Sequence, residues 1–501
     1  LIRFNMKNRN YIIIKFALIG ILLSSCDSVL DETPDNRTTI DSPEKIAELI
    51  VGAYPEAAYA AFLEPMTDNA GDKGPSAEDI RINKEMFFWN DINDVDDDTP
   101  TNYWNDTYAA IAQANQALAS IASLGGGDDL NALKGEALLC RAYGSFMLVS
   151  IFSKAYNPAT ANSDLGITYV TEPETVLLGN YSRGTVANVY ENIRKDIEAG
   201  LPLIEDRYNI PTYHFTKSAA HAFASRFYLN TGEWQKVIDH SNQALAGNSV
   251  SVLRDWQGQY APRTYSEQTS RYISSMVEPA NLLLVSAESP FNRYHATARY
   301  QLNNSKRDEL FPSFNETGKE SAYDVFGGND LVYNVPKFLE YFKATNQAAN
   351  TGQVFVTFVL LSTDEVILNR AEAYAMLGQL DNAATDINSS YAVKTKEYIP
   401  FTDAFSVAEI QTIFQPANPN VYTPFYTIPS ESLAFVNAVL NLKRTIFYNE
   451  GLRWFDIKRH RIAIEHRDIF GNSYLLPKDD LRRAIQIPEA AQSFGIEENP
   501  R

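Results

Sequence analysis

The stretch YLNTGEWQKV, residues 228–237, predicts the fold, because the stretch YAMLGQLDNA at residues 374–383 repeats its pattern. In both, a helix with alanines on one face runs into a glycine, and a second helix begins directly after it. Small residues let two helices approach, large residues fill the gap, and glycine permits the turn. This pattern is typical of a tetratricopeptide repeat. The copies start at residues 228 and 374, so 146 residues separate them. A tandem array repeats every ~34 residues, so large insertions must interrupt this one.

Helical spacing of apolar residues extends on both sides of these two stretches. It predicts helical repeats over about 103–246 and 362–465, the last of them ending in one long helix at 433–465. Two segments without helical period, about 248–353 and 400–430, are rich in Tyr, Asn, Pro and Gly and are predicted to be the insertions. The sequence therefore predicts a mostly α fold, a tetratricopeptide-like superhelix with loop-rich insertions. We expect this fold to occupy residues 42–501 as one domain.

The stretch MKNRNYIIIKFALIGILLSSC, residues 6–26, predicts export. A basic start, a short apolar run and small residues before a cut site are typical of a secretory signal. The apolar run is shorter than the ~20 residues that a membrane-spanning helix needs. LSSC at 23–26 resembles a bacterial lipobox, which predicts a signal peptide at 1–25 and a lipidated tether at 26–41, with Cys26 as the lipid anchor. The alternative is an ordinary signal peptide that ends by chance at a cysteine.

Composition excludes several classes of partner. The net charge of −19 argues against nucleic acid, whose phosphates require a basic surface. The same charge argues against membrane contact other than through the lipid. Only two cysteines are present, Cys26 and Cys140, so a zinc site built from several cysteines is excluded.

The stretch DINDVDDD, residues 91–98, places five acids within eight residues. These carboxylates repel one another, so they need a cation, a partner or open water. A calcium loop of the EF-hand type is disfavoured, because Thr99 and Asn105 occupy its glycine and glutamate positions. A cationic ligand and a solvated loop both stay open. Aromatic faces beside the acids could receive a ligand. The candidate ligand-binding residues are Asp94, Asp96, Asp97, Asp98, Trp89 and Tyr103.

A charged signature lies near the C-terminus, in KRTIFYNEGLRWFDIKR at 443–459. The charged residues that characterise it are Arg444, Glu450, Arg453, Asp456 and Arg459. The last four lie three residues apart, so opposite charges should face each other along one helix. A paired-carboxylate site is one interpretation, but we favour a salt-bridged structural helix that locks the repeats. No phosphate loop, nucleophile elbow or metalloprotease spacing occurs, so we expect no enzyme activity, no catalytic residue, no metal and no cofactor.

With these pieces in order, the chain resembles the SusD/RagB family of surface lipoproteins from Bacteroidetes-type bacteria. The resemblance rests on the lipobox, on KGEALLCRAY at 134–143, on DEVILNRAEAY at 364–374, on the signature at 443–459 and on the closing segment 485–500. It spans essentially the whole mature chain.

The resemblance implies a lipid-anchored protein of the outer membrane that faces the cell exterior. Such proteins act as the lid of a TonB-dependent transporter of the SusC/RagA type and capture an oligomeric nutrient without making or breaking a bond. The acidic loops favour oligopeptides as the ligand. The alternative is a glycan-binding lid of a polysaccharide-uptake system, which should show exposed Trp and Tyr side chains in one pocket. A surface hydrolase, which should cluster titratable groups in a cleft, is a third and less favoured candidate.

Overall fold

In a computed structural model of the chain, both repeat copies are pairs of helices joined by a glycine. The structure describes residues 40–174, 179, 181–247, 250–347, 349 and 351–501. Cys26, the predicted signal peptide and most of the predicted tether lie outside these residues. Residues 43–501 form one compact unit.

Helices make up most of the regular structure. The described α-helices are α1 (Pro43–Val51), α2 (Ala60–Leu63), α3 (Arg81–Phe87), α4 (Pro100–Ser123), α5 (Asn131–Phe152), α6 (Val186–Gly200), α7 (Lys217–Thr231), α8 (Trp234–Ala244), α9 (Tyr265–Tyr272), α10 (Phe291–Tyr294), α11 (Asn304–Leu310), α12 (Thr363–Met376), α13 (Leu380–Lys394), α14 (Pro400–Asp403), α15 (Val407–Ile413), α16 (Leu433–Ile446), α17 (Leu452–His460) and α18 (Glu489–Ser493). The predicted mostly α class is confirmed.

The two repeat copies are neighbours in space although 146 residues separate them in sequence. Helix α7 packs on α8, α8 packs on α12, and α12 packs on α13. Gly232 and Gly378 end the first helix of each pair at φ of 73° and 72°, a left-handed conformation that side chains with a Cβ rarely adopt. The alanines predicted to face the partner helix are buried. The intervening insertion therefore leaves the helical stack and returns to it.

That insertion contains a small antiparallel sheet. The described strands are β1 (Gly71–Asp72), β2 (Asn281–Glu288), β3 (Tyr300–Gln301), β4 (Glu340–Asn346), β5 (Thr351–Ser362), β6 (Ile464–Arg467) and β7 (Ser473–Leu476). Strands β2, β5 and β4 form a three-stranded sheet in that order, while β1 pairs with β3 and β6 with β7. Ser362 at the end of β5 is also the N-cap of α12, where its hydroxyl accepts from the Glu365 N–H. The sheet therefore leads directly into the second repeat.

The prediction of one long closing helix at 433–465 is wrong. The structure has two helices there, α16 and α17, followed by β6. Asn449 and Gly451 between them adopt positive φ, and a Cβ on Gly451 would lie 3.0 Å from the Ala60 Cα. This close approach of two backbones requires glycine at residue 451, and the positive φ at both residues keeps α16 and α17 from joining into one helix.

One described stretch, Asp128–Phe152, is long and apolar enough to cross a membrane, but its apolar window is entirely buried within the fold. Burial of this kind is typical of a core helix. The stretch contains α5, which packs between α4 and α6.

Candidate functional site

The two aromatic candidates lie in the core. Trp89 is 3% exposed; its indole N–H donates to the Met66 carbonyl at 2.9 Å, and its ring stacks on His466 at 4.4 Å between centroids. Tyr103 is 1% exposed and meets the ring of Tyr59 edge-on. The structure therefore contradicts both as ligand contacts. The physical reason is that Trp89 packs on His466 of β6 and Tyr103 packs on Tyr59, so both rings belong to the close-packed interior.

Most of the acidic side chains at 91–98 are bound by other side chains of the protein. Asp94 pairs with Arg81 at 3.2 Å, and Asp91 pairs with Arg501 at 2.6 Å. The Asp98 carboxylate is buried, which removes it as a ligand contact in this structure. Three of the five acids form no ion pair in the described part of the chain: the exposed Asp96, the half-buried Asp97 and Asp98, which receives two hydroxyls instead. Burial, and then the neighbouring carboxylates of Glu288 and Asp96, raise the pKa of Asp97.

The acidic stretch instead holds the C-terminal segment. Besides the Asp91–Arg501 pair, the Asn93 side-chain amide donates to Glu489 at 2.6 Å. Among the described residues, no group of three or more His, Cys, Asp or Glu side chains is arranged to hold a metal ion.

The charged signature joins distant elements rather than lining one helix face. Arg453 makes a bidentate pair with Asp68 at 2.8 Å, and the Lys337 ammonium lies 2.5 Å from Glu450. Arg444 pairs with Glu309 at 2.7 Å. Only the Asp456–Arg459 contact, 3.0 Å, joins two members within α17. Glu450 itself precedes that helix. The signature therefore locks the C-terminal helices to the rest of the fold.

Burial and charge act in opposite directions on these groups. Burial alone would raise the pKa of Asp68, but Arg444 and Arg453 outweigh it and hold that pKa far below its usual range. The Asp68 carboxylate is therefore ionised and bound in the structural network, and it is not free to act on a ligand.

An open cavity of about 380 Å³ is a candidate ligand site in the described structure. Three segments far apart in sequence build it: one face of α4, the loop that follows α5, and the C-terminal segment around α18. Its side chains are aromatic, small apolar and acidic. The principal ones are Trp104, Asn105, Tyr108, Thr168, Glu172, Glu174, Tyr181, Phe494 and Ile496.

Aromatic surface and hydrogen-bonding groups converge in this cavity. Phe494 is 46% exposed, and Tyr181 is half-buried with its hydroxyl donating to Glu174 at 2.5 Å. The Tyr108 hydroxyl donates to the Thr168 carbonyl at 3.0 Å, which fixes the ring against the loop. Ligand pockets are typically of this kind, mostly apolar with a few placed polar groups.

Arg183 holds the wall of the cavity in place. Its guanidinium donates to the carbonyls of Gly166 at 2.7 Å and Glu497 at 2.9 Å, and to the side chain of Asn499 at 2.8 Å. Burial lowers the pKa of Arg183 to about 10, although Glu497 and then Tyr108 act in the opposite direction. Arg183 therefore ties the loop after α5 to the C-terminal segment, and both line the cavity.

Sequence reasoning missed this site. No local motif joins residues 104–112, 168–181 and 490–496. The nearest signal was the closing segment 485–500, which was read only as part of the family resemblance.

The fold and site define a class: a helical-repeat protein with an open aromatic pocket, which is the architecture of a binding protein. A family model of SusD-like proteins, described as "Starch-binding associating with outer membrane", matches residues 28–229. Over these residues the chain is therefore similar to SusD-like proteins. The family description confirms the predicted association with the outer membrane, while lipid attachment at Cys26 stays a prediction.

Solved structures share the fold over nearly the whole chain. A SusD superfamily protein from Bacteroides thetaiotaomicron matches with a TM-score of 0.63 and 19% identity, over 91% of this chain and 99% of that chain. A SusD superfamily protein from Bacteroides vulgatus matches with 0.59 and 18%, over 91% and 97%. A SusD-like carbohydrate binding protein from Bacteroides vulgatus matches with 0.57 and 16%, over 90% and 96%. Comparison with curated proteins gave no match.

Proposed function

We propose that this protein captures glycans at the cell surface, as the lid of a TonB-dependent transporter of the SusC type. The observation that carries the proposal is the 380 Å³ cavity with its aromatic and carboxylate lining. The family description as starch-binding and the carbohydrate-binding relative from Bacteroides vulgatus support it. The family description makes α-glucans the first ligands to test.

The chemistry of the cavity suits neutral sugars. The C–H faces of a sugar ring pack on aromatic side chains, here those of Tyr181 and Phe494. Sugar hydroxyls donate to carboxylates, which Glu172 and Glu174 supply. A cavity of this size falls within the range of ~300–1,000 Å³ usual for small-ligand sites.

Oligopeptides are the competing ligand, and the structure weakens the argument for them. That argument rested on a free acidic loop at 91–98. Asp91, Asp94 and Asp98 of this loop are bound by other side chains of the protein, so two of its five carboxylates remain to attract a basic peptide. The matches to sugar-binding relatives likewise favour the glycan alternative.

Truncation of the aromatic lining is expected to weaken glycan binding. Phe494→Ala and Tyr181→Ala should each lower the affinity for maltoheptaose about tenfold, because one aromatic contact is worth ~0.5–1.5 kcal/mol beyond its buried area. Isothermal titration calorimetry on the purified mature chain measures this. The matched control is Phe470→Ala, which removes an exposed phenylalanine outside the cavity. Equal affinities in all four proteins, or binding of basic peptides but no glycan, would contradict the proposal.

Loss of the lipid anchor is expected to separate the protein from its membrane. Cys26→Ser removes the thiol that a lipobox protein acylates, so the chain should leave the outer-membrane fraction and lose a co-purifying barrel protein. Membrane fractionation and mass spectrometry of the purified complex measure both. If the serine variant stays in the outer membrane with the barrel protein, the anchor is not this cysteine.

A further inference from the structure

A second cavity, of about 270 Å³, has the opposite charge character from the first. It lies where the segment after α5, the end of α17 and the turn before α18 meet. Six basic side chains line it, in a chain whose net charge is −19. They are Lys154, Lys458, Arg459, Arg461, Lys478 and Arg483.

Three acids line the same cavity and offset only part of this charge. Asp164 pairs with Lys154 at 2.8 Å, and Asp479 pairs with Arg461. Asp480 binds Arg482, which is not a lining residue, at 2.8 Å. Arg459 is paired with Glu372 and Asp456, which do not line the cavity. Three lining cations therefore remain without an ion pair among the described residues: Lys458, Lys478 and Arg483.

Two of the remaining cations are buried against backbone carbonyls. The Lys458 ammonium donates to Ser150 at 2.5 Å and to Ser153 at 2.6 Å. The Arg483 guanidinium donates to the carbonyls of Pro477 at 2.8 Å and Ile457 at 3.3 Å. Neither forms an ion pair with an acid within the described residues. A buried charge without a counter-charge is costly, and an anion in the cavity would supply one.

The titration of these groups agrees with that picture. Burial and then the charge of Arg483 lower the pKa of Lys458 to about 7, and burial lowers the pKa of Arg483 to about 10. An incoming anion would favour the charged form of both.

An accessible cation and an aromatic wall complete the cavity. Lys478 is exposed and forms no ion pair in the part of the chain that the structure describes. Tyr156 and Phe425, both half-buried, meet edge-on at 5.8 Å between centroids. A ring face beside cations suits a ligand that has both an apolar face and an acidic group.

We propose that this cavity binds the acidic group of an anionic sugar, the carboxylate of a uronate or a sulfate ester, while Tyr156 and Phe425 contact its ring. The proposal deepens the glycan-capture function and rests on it. The first cavity carries Glu172 and Glu174, which would repel such a residue. The two cavities would then take different residues of glycans: neutral in the first, acidic in the second.

Calorimetry with one acidic and one neutral oligosaccharide tests this. On the mature chain, trigalacturonate should bind, and its affinity should fall with added salt because the contact is between charges. The double variant Lys154→Ala/Lys478→Ala should lower that affinity at least tenfold and leave maltoheptaose binding unchanged. Both side chains are largely exposed, so the fold should tolerate the change. The matched control is Lys195→Ala/Lys396→Ala, which removes two partly exposed lysines that do not line the cavity.

Further measurements distinguish an anion carried by a sugar from a free anion, and the acidic-glycan site from the neutral-glycan site. A sulfated disaccharide that binds more tightly than inorganic sulfate supports a sugar site, whereas equal binding overturns it in favour of a free-anion site. Trigalacturonate that binds the lysine double variant as well as the native chain, or does not bind the native chain, overturns the inference. If the native chain binds trigalacturonate but not maltoheptaose, the result would instead count against the proposed neutral-glycan site.

Discussion

Replacing Glu372 by glutamine is expected to lower the free energy of unfolding by about 3–5 kcal/mol, because it removes one partner of a buried ion pair. Glu372 lies on α12 in the second repeat and is fully buried. Its carboxylate receives both guanidinium nitrogens of Arg459 from α17, one of them at 2.8 Å, and lies 3.2 Å from His460. Glutamine keeps the size of the side chain and removes its charge.

The expected loss of stability arises because Arg459 stays buried with fewer partners. Arg459 would keep only Asp456, at 3.0 Å, and the hydroxyl of Tyr426, at 2.9 Å. Burial alone would raise the pKa of Glu372, but Arg459 and His460 hold it well below its usual range, so the native carboxylate is ionised. The pair joins the second repeat to the signature segment, and its loss should loosen both.

Urea unfolding followed by circular dichroism measures the change. The matched control is Glu320→Gln, which breaks the exposed Lys396–Glu320 pair and should cost at most ~0.5 kcal/mol. Similar losses in the two variants would show that the buried pair does not stabilise the fold more than a surface pair does.

The repeat was predictable because its signals are local. The alanine face, the glycine and the helix that follows it occur within about twenty residues of each other, so 228–237 and 374–383 identify both helix pairs. The same local reasoning failed at 433–465, where charge spacing suggested one helix. The signal that was overlooked is Asn449 followed two positions later by Gly451, both suited to positive φ. The backbone that Gly451 approaches, at Ala60, lies almost 400 residues away in sequence.

The candidate site was not predictable, because its properties depend on distant partners. A sequence shows five acids at 91–98 but not that Arg81 and Arg501 neutralise two of them. Spacing likewise cannot show that Trp89 stacks on His466, 377 positions later. The 380 Å³ cavity needs three segments that meet only after folding. The acidic composition of 91–98 therefore indicated a region close to the cavity, because this stretch holds the C-terminal segment that lines it.

Asp98 shows what that stretch does instead of binding a ligand. Its carboxyl group is 1% exposed and receives the hydroxyls of Ser289 at 2.6 Å and Tyr294 at 2.8 Å. Its backbone has a φ of 63°, which asparagine tolerates better than most residues. Burial raises its pKa to about 7, although Ser289 and Tyr294 lower it, and Asp97 adds to the increase.

The Asp98→Asn variant is therefore expected to be more stable than the native protein at pH 8. A folded pKa of about 7 against an unfolded value of 3.8 means that the folded state binds the extra proton between these pH values. Stability from this group is thus fully present below about pH 4 and is lost as pH rises through 7, by about 4 kcal/mol. Asparagine stays neutral throughout and sacrifices about one hydrogen bond, worth ~1 kcal/mol. We expect it to gain about 2–3 kcal/mol at pH 8 and to gain nothing at pH 4.

Urea unfolding of both proteins at pH 4, 6 and 8 measures this difference, and the other titrating groups cancel because the two chains share them. Asp96→Asn, the same change at an exposed carboxylate two residues away, should leave stability unaltered at each pH. A native protein whose advantage over the Asp98 variant grows with pH would mean that the carboxylate is ionised and stabilising. The acidic stretch would then hold a real buried charge at residue 98, and a ligand or a partner that neutralises it would again have to be sought.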